Sequence, residues 1–371
     1  MIYLDYSANT PADPEVLAKF VETEQTFIGN PNSNHPAGRA AKAEMDRVTA
    51  SIAALLGVKP AELIYTSGAS ESNNLALKGI TRAYRHSGKH IISTMLEHAS
   101  ISGCLTALQE QGYEIDLADI KRDGTVDVDH IRELLRPDTV LVALCAVDSE
   151  LGTVQPVQEI AALLSNYPDC HFHVDATQAI GKIPFSFAGI DTVSFAPHKF
   201  YGLNGSGILF KREGVVLEPL IHGGTSTSIY RSGTPALGLA ASTALALQKA
   251  VTALPERAAQ VHAQNQYLRE ALAARPGVHI NSPDSAIPHI LNLSCDGIKG
   301  SAFQEALARR GICVSVKSAC SVPGTPSKPV FAVTRDKKRA LSSWRISLSH
   351  LTTKKELDTF LAAFDACRNE M

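Results

Sequence analysis

Short apolar runs rich in β-branched residues alternate, along the first part of the chain, with stretches whose apolar residues recur every three or four positions. The runs at 63–66, 90–93, 139–147, 171–175, 192–195 and 207–210 predict strands. Helical spacing occurs from about Pro14, over 40–56 with Gly57 as its stop, and over about 70–85, 101–111, 128–135 and 157–165. Such βα repetition predicts a mainly parallel sheet with helices on both faces. From Pro255 the pattern changes. A long helix over 257–274 is followed by strands at 278–280 and 290–294, a helix near 302–310, and strands at 312–316 and 345–348. Two strand–helix–strand groups of that size predict a separate, smaller α+β unit. Within it the stretch 317–330, rich in Ser, Pro and Gly, reads as an exposed loop.

A length of 371 residues fits two or three compact units. Lys+Arg 35 against Asp+Glu 37 leaves a net charge of −2, which builds in no attraction for nucleic acid or anionic lipid. The N-terminus has no basic region and reaches Asp5 at once, unlike a secretory signal, and the longest uncharged apolar run, 140–147, is far too short for a bilayer. A soluble, cytoplasmic protein is expected. Seven cysteines without a Cys-x-x-Cys pair indicate neither a disulfide framework nor a zinc ribbon, and the 13 histidines show no helical metal-binding pair, so no metal is expected. Neither a Gly-x-Gly-x-x-Gly turn after a strand nor a Walker-type loop is present, so another ligand must explain the α/β architecture.

Three strand ends carry candidate chemistry. Ser194-Phe195-Ala196-Pro197-His198-Lys199 places a lysine where ligands bind in doubly wound sheets. That lysine can be a Schiff-base nucleophile or a surface residue. His173-Val174-Asp175-Ala176-Thr177-Gln178 offers a carboxylate for a protonated ring nitrogen and a carboxamide for a ring hydroxyl, although strand-end Asp residues also cap helices. His171 and His173 are expected only to flank Asp175. In Thr66-Ser67-Gly68-Ala69-Ser70-Glu71, a glycine turn at a helix start supplies free N–H groups for an anion, with Gly68, Ala69 and Ser70 at its centre. A capping box would explain Ser70 and Glu71, but not the glycine turn.

Taken in order, these segments resemble one family. Tyr3-Leu4-Asp5-Tyr6-Ser7-Ala8-Asn9-Thr10-Pro11, Gly29-Asn30-Pro31-Asn32-Ser33, the 66–74 turn, Glu97-His98, Glu150-Leu151-Gly152-Thr153, Asp175-Ala176-Thr177-Gln178, His198-Lys199, Arg231-Ser232-Gly233-Thr234, Ser318-Ala319-Cys320 and Arg345-Ile346-Ser347-Leu348 are similar to motifs of NifS-type cysteine desulfurases. That family belongs to the class V aminotransferase group. The resemblance implies a type I pyridoxal-phosphate fold, with a seven-stranded, mainly parallel domain at 13–254 and a small α+β domain from 1–12 and 255–371 carrying a mobile Cys320 loop. It implies pyridoxal 5'-phosphate bound through Lys199, with Asp175 at the ring nitrogen and Gln178 at the ring hydroxyl. His98 would stack on the ring and move protons. Gly68, Ala69, Ser70 and His198 would hold the phosphate, Thr234 would reach it from the other subunit of a homodimer, and Ser149 would lie near the ring oxygen. Arg345, with Asn9, would bind the carboxylate of L-cysteine. Cys320, in an accessible loop beside Lys317, would take the sulfur as a persulfide for an acceptor protein in iron–sulfur assembly or tRNA thiolation. The other six cysteines are expected to be inert.

The chain departs from the family pattern at Ala196 and Ser149, where the family usually has serine and asparagine, and in the 223–230 stretch. Those departures touch cofactor affinity and acceptor choice. They leave room for a selenocysteine lyase or another class V aminotransferase, or for a non-enzymatic scaffold that has lost activity.

Overall fold

The computed structural model describes residues 1–317 and 324–371. After a two-residue strand, β1 (Ile2–Tyr3), the chain forms helices α1 (Pro14–Thr26) and α2 (Pro36–Leu56). Seven strands then make one sheet: β2 (Leu63–Thr66), β3 (His90–Ser93), β4 (Glu114–Leu117), β5 (Thr139–Cys145), β6 (His171–Asp175), β7 (Thr192–Phe195) and β8 (Gly207–Lys211). Helices α3 (Ala69–Ala83), α4 (Ala99–Gln109), α5 (Val128–Leu134) and α6 (Val157–Leu164) fall between them, and α7 (Leu237–Thr252) and α8 (Leu254–Ala273) follow.

The sheet order is β2-β8-β7-β6-β5-β3-β4. Only β8 runs against the others, pairing antiparallel with β2 and β7. The cause is the connection: between β7 and β8 there is one 3-10 turn and no α-helical crossover, and so short a link permits only antiparallel neighbours. All seven residues of β5 are buried, as expected of a strand covered on both faces. The C-terminal ends of β2, β7, β6 and β5 therefore share one edge of the sheet, and the side chains that follow them meet there.

A second sheet, β9 (Val278–Ile280), β10 (Ile290–Cys295) and β12 (Ser343–Ser347), is antiparallel in the order β12-β10-β9, and β1 pairs in parallel with β11 (Ile312–Cys313). Helices α9 (Gly300–Arg309), α10 (Lys328–Thr334), α11 (Lys337–Leu341) and α12 (Lys354–Glu370) complete this part. Its own core gathers Leu4, Leu268, Phe303, Trp344, Phe360 and Phe364. The rings of Phe303 and Trp344 stack at 5.0 Å with an interplanar angle of 14°.

Several expectations need correction. The strand expected at 139–147 ends at Cys145, and Val147 only makes an isolated bridge to Val154, because the chain turns at Asp148. The strand expected at 312–316 is two residues long with a single bridge at Ser315. No helix separates β9 from β10, which are direct antiparallel neighbours, and the alternation begins at β10, with α9 before β11 and then α10 and α11 before β12. Strand β4 escaped the pattern because it is short, mostly exposed and carries two acids at the sheet edge. Helix α7 escaped because it is apolar nearly all round, packed against both α1 and α2, so it has no polar face to reveal its period.

The N-terminal segment ties the two cores together. Leu4 is buried in the smaller one, Ser7 N–H donates to Ser347 Oγ at 2.9 Å, and Thr10 N–H donates to His198 O at 3.0 Å beside the larger one. Removing the stacked ring should be felt throughout the smaller core: Phe303→Ala is expected to destabilise the protein by about 3–5 kcal/mol in denaturant unfolding. A loss below about 1 kcal/mol would mean that this core does not depend on the stack.

Candidate active site

Beyond β7 the chain makes a tight turn, Pro197–Lys199, and then places Tyr201 at φ 68°, a left-handed conformation unusual for a bulky residue. Thr10 holds it there: its hydroxyl donates to His198 O at 2.8 Å and accepts from Tyr201 N–H at 2.8 Å. The same N-terminal segment receives the Lys199 amine, which donates to Ser7 O at 2.8 Å and Ala8 O at 2.6 Å.

Beyond β2, Gly68 begins α3, and the first intrahelical bond there is Ser72 N–H to Gly68 O at 3.1 Å. The N–H groups of Ala69 and Ser70 therefore lie outside the helical ladder, at its positive end. Gly207 lets β8 pass this turn, since a Cβ there would sit 2.5 Å from the Gly68 carbonyl carbon.

One side chain organises the interior of the site. Asn73 donates through Nδ2 to Asp175 Oδ2 and to Ser100 Oγ, each at 2.8 Å, and its Oδ1 accepts from His173 Nε2 at 3.0 Å and from Ser194 Oγ. The other Asp175 oxygen accepts from Thr177 N–H at 3.0 Å. His173 Nδ1 meets Thr192 Oγ1 at 2.9 Å, and burial pushes its pKa down to about 4, so its ring is neutral at pH 7. Nδ1 of His98 caps α4 by accepting from Ser100 N–H at 3.2 Å, which leaves the proton of the neutral ring on Nε2. Burial lowers the pKa of His98, opposed by Asp175 and assisted by Lys199.

Lys199, His98, Asp175, Gln178 and Arg345 line one cavity of about 390 Å³ with the Gly68–Ser70 turn. Ser149 and His198 line it too. Burial and the Lys199 and Lys182 charges hold His198 down to about 4, so its imidazole is neutral. Arg345 is buried and already engaged, donating to Ser149 O at 2.6 Å and to Asp5 Oδ1 at 2.8 Å. Those bonds use two of its five N–H groups. Asn9 lies away from the cavity lining and donates instead to Thr10 O at 3.1 Å. Thr234 lines a different cleft, with Ser226 and Thr227. Cys320 lies outside the described residues. Of the cysteines expected to be inert, Cys145 lines the cavity, but burial holds its thiol well above the ordinary value. Ala196 is buried, so no hydroxyl enters from that position.

Sequence reasoning missed Asn73, Asp5 and Asp148 as working residues. Asn73 stood in a quoted motif, but its four partners come from α4, β6 and β7, and nothing local signals them. Asp148 is fully buried in the turn after β5. Its Oδ1 accepts from Glu150 N–H at 3.1 Å and from Leu151 N–H, while Oδ2 has no partner among the described residues. Burial and the Glu150 carboxylate push its pKa up to about 7. Glu97, beside His98, is likewise pushed up to about 8 by burial.

The cavity suits an anionic aromatic cofactor. Its volume falls in the range of small-molecule sites, free amides at a helix start face a phosphate-sized anion, and a buried carboxylate without a cationic hydrogen-bond partner matches a ring N–H. The family model for "Aminotransferase class-V" matches residues 2–360. A NifS/IcsS protein homolog of Lactobacillus delbrueckii subsp. bulgaricus is 38% identical, the match covering 98% of this chain and 96% of that one. The cysteine desulfurase IscS of Dictyoglomus turgidum is 34% identical over 96% of this chain and 92% of its own. A solved structure titled "NIFS-LIKE PROTEIN" superposes with a TM-score of 0.93 at 33% identity, covering 100% of both chains.

Asp148 gives the site a measurable pH signature. Its carboxyl titrates higher in the fold than its ordinary value of 3.8, so its contribution is intact below that value and is lost as pH rises toward about 7. Asp148→Asn keeps the Oδ1 acceptor without the charge. The variant should therefore gain stability over the parent as pH rises from about 4 to 7 and hold that gain above pH 7. At about 1.4 kcal/mol per pH unit the gain is no more than about 4 kcal/mol. Denaturant unfolding at pH 5 and pH 8 checks this, and a gain that is equal at both would contradict a buried, neutralised Asp148.

Proposed function

The chain belongs to the class-V aminotransferase family, and within it we propose that it is a cysteine desulfurase that converts L-cysteine to L-alanine and passes the sulfur on from Cys320. The observation that carries this reading is the convergence of Lys199, His98, Asp175, Gln178 and Arg345, from four separate segments, on one cavity.

Pyridoxal 5'-phosphate is the cofactor of this reading, and when bound it supplies the electron sink that amino-acid cleavage requires. Lys199 would hold it covalently, Asp175 at the ring nitrogen and Gln178 at the ring oxygen. Ser70, His198 and the amides at the start of α3 would hold the phosphate, together with Thr234 of the partner subunit. Its place in a separate cleft supports a homodimer, as do the exposed Ile28, Ile221 and Ile229. Arg345 would take the substrate carboxylate with N–H groups left over from Ser149 and Asp5, while Asp5 keeps the guanidinium in place. His98 holds a proton at Nε2, from which it can protonate the substrate side of the cavity. The Cys320 thiolate would attack the sulfur of L-cysteine, forming an S–S bond as the C–S bond breaks. Alanine leaves with the carbon protonated, and Cys320 keeps the persulfide for an acceptor protein.

The two cores support the division into a large unit over 13–254 and a small one from 1–12 and 255–371. The buried free cysteines, with no disulfide among the described residues, support a reducing, cytoplasmic setting. Among those residues no single helix is long and apolar enough to cross a membrane.

The test of the reading is incubation of the purified protein with L-cysteine, measuring alanine and sulfide with and without reductant. Lys199→Ala is expected to lose the visible absorbance of the bound cofactor and all turnover. Cys320→Ser should still show a spectral change on adding cysteine but release no sulfide in a single turnover. Sulfide at the parent rate would point to a lyase in which that thiol is dispensable.

Arg345→Lys replaces a planar fork by a point charge and should raise KM for cysteine roughly tenfold or more, from the loss of about 1.5–3 kcal/mol of charge-assisted hydrogen bonding. An unchanged KM would place the carboxylate elsewhere.

A further inference from the structure

Lys182 is a buried lysine that neither the fold nor the chemistry above employs. It closes the turn after β6, four residues beyond Gln178, and is 7% exposed. Gly181, at φ 78°, makes the turn possible: a Cβ there would lie 2.8 Å from Phe200 Cβ. The Lys182 amine donates to Gln178 Oε1, and no ion pair includes it among the described residues. The groups around it are Lys199, Arg345, Arg257, His289, His350 and the phenols of Tyr6 and Tyr201, with no carboxylate in the small cavity behind it. Burial first, then the Lys199 and Arg345 charges, holds its pKa well below the ordinary lysine value. The amine donates whether or not it carries a charge, and among the described residues its acceptor is Gln178 Oε1.

Gln178 is 6% exposed and lines the cavity beside Lys199. A carboxamide has one oxygen and two N–H groups. The oxygen is taken by Lys182, and one N–H donates to Ser7 O at 2.9 Å, the same carbonyl that Lys199 Nζ approaches at 2.8 Å. The second N–H is what Gln178 has left for a ligand. We propose that Lys182 is a positioning residue, which by occupying Gln178 Oε1 makes this side chain present an N–H rather than a carbonyl to the anionic ring oxygen of the bound cofactor. The inference rests on the cofactor reading above and deepens it by adding a residue that acts only through Gln178.

A donor at the ring oxygen stabilises the cofactor most when the neighbouring nitrogen has lost its proton, so a weaker donor raises the pH midpoint of the visible band. Lys182→Met removes the donor and keeps the length. In the holoenzyme its midpoint should rise by about half a pH unit or more, roughly a threefold change in the acid constant. Lys182→Ser, too short to reach Gln178, should behave the same way and serves if the Met variant does not fold. Lys182→Gln retains an N–H donor and should return the midpoint toward the parent value. In a Gln178→Ala background, Lys182→Met should move it no further. An unmoved midpoint in Lys182→Met and Lys182→Ser, with or without lost stability, overturns the inference, and so does a shift that simply adds to that of Gln178→Ala. A parent protein with no visible band after incubation with pyridoxal phosphate overturns the cofactor reading and this inference with it. A band that is present but insensitive to Lys182 overturns the inference alone.

Discussion

The side-chain amide of Asn73 is the point on which the arrangement of the site depends. It sits on α3, the helix whose N-terminus provides the free amides, and reaches the carboxylate of Asp175 on β6, the hydroxyl of Ser194 on β7 and the Ser100–His98 cap of α4. An amide has a fixed donor end and a fixed acceptor end, so these contacts also settle which nitrogen of His173 carries its proton. Because the node is buried, a missing partner would cost the full desolvation of the group left behind, about 1–3 kcal/mol. The network therefore holds Asp175, His173, Ser194 and the Ser100–His98 cap at fixed relative positions.

A second constraint comes from the N-terminus. Residues 1–10 leave the smaller core, cross its sheet edge at Ser347 and end on the Lys199 turn, where two carbonyls accept from the lysine amine and Thr10 sustains the strained Tyr201. The smaller core is thus joined to the lysine through a few residues that turn at 6–8, where Ala8 N–H donates to Asp5 O at 2.9 Å. Asp5 strengthens the link, since it joins that segment to Arg345 and to Ser315 at 2.8 Å each. Arg345 and Lys199 are held by the same short piece of sequence.

Much of this was legible in the sequence because strand ends announce themselves: β2, β6 and β7 were marked by apolar runs stopping at Gly68, Asp175 and Ala196, and the residues beyond them line the cavity. What could not be read was long-range. Asn73 and Asp5 act on partners far away in the chain, and their residue types fit a solvated helix face or a turn equally well. Thr353 and Glu356, by contrast, form a capping box before buried Leu357, Phe360, Leu361 and Phe364, so α12 carried a plain local signal that the reading of strands and loops passed over. Asn9, inside a motif, donates within its own loop to Thr10 O, while the carbonyls of its neighbours Ser7 and Ala8 accept from Lys199.

The charges around the cavity explain why such a site is built at a cost to stability. Lys199, Arg345 and His198 line the cavity, with Lys182 behind them, against two hydrogen-bonded carboxylates in its lining, Asp175 and the Arg231-paired Glu71, while Asp148 and Glu97 are buried deeply enough that their carboxyls titrate near neutrality. Burial keeps His198 neutral at pH 7 and lowers the pKa of Lys182, which limits the repulsion, but it leaves donors without matching anions. A ligand bearing several negative charges, entering at the positive end of α3, would satisfy those donors together. The penalty of keeping them desolvated is met during folding, so the incoming anion need not reorganise them, and the polarity of the site becomes binding strength rather than structural stability.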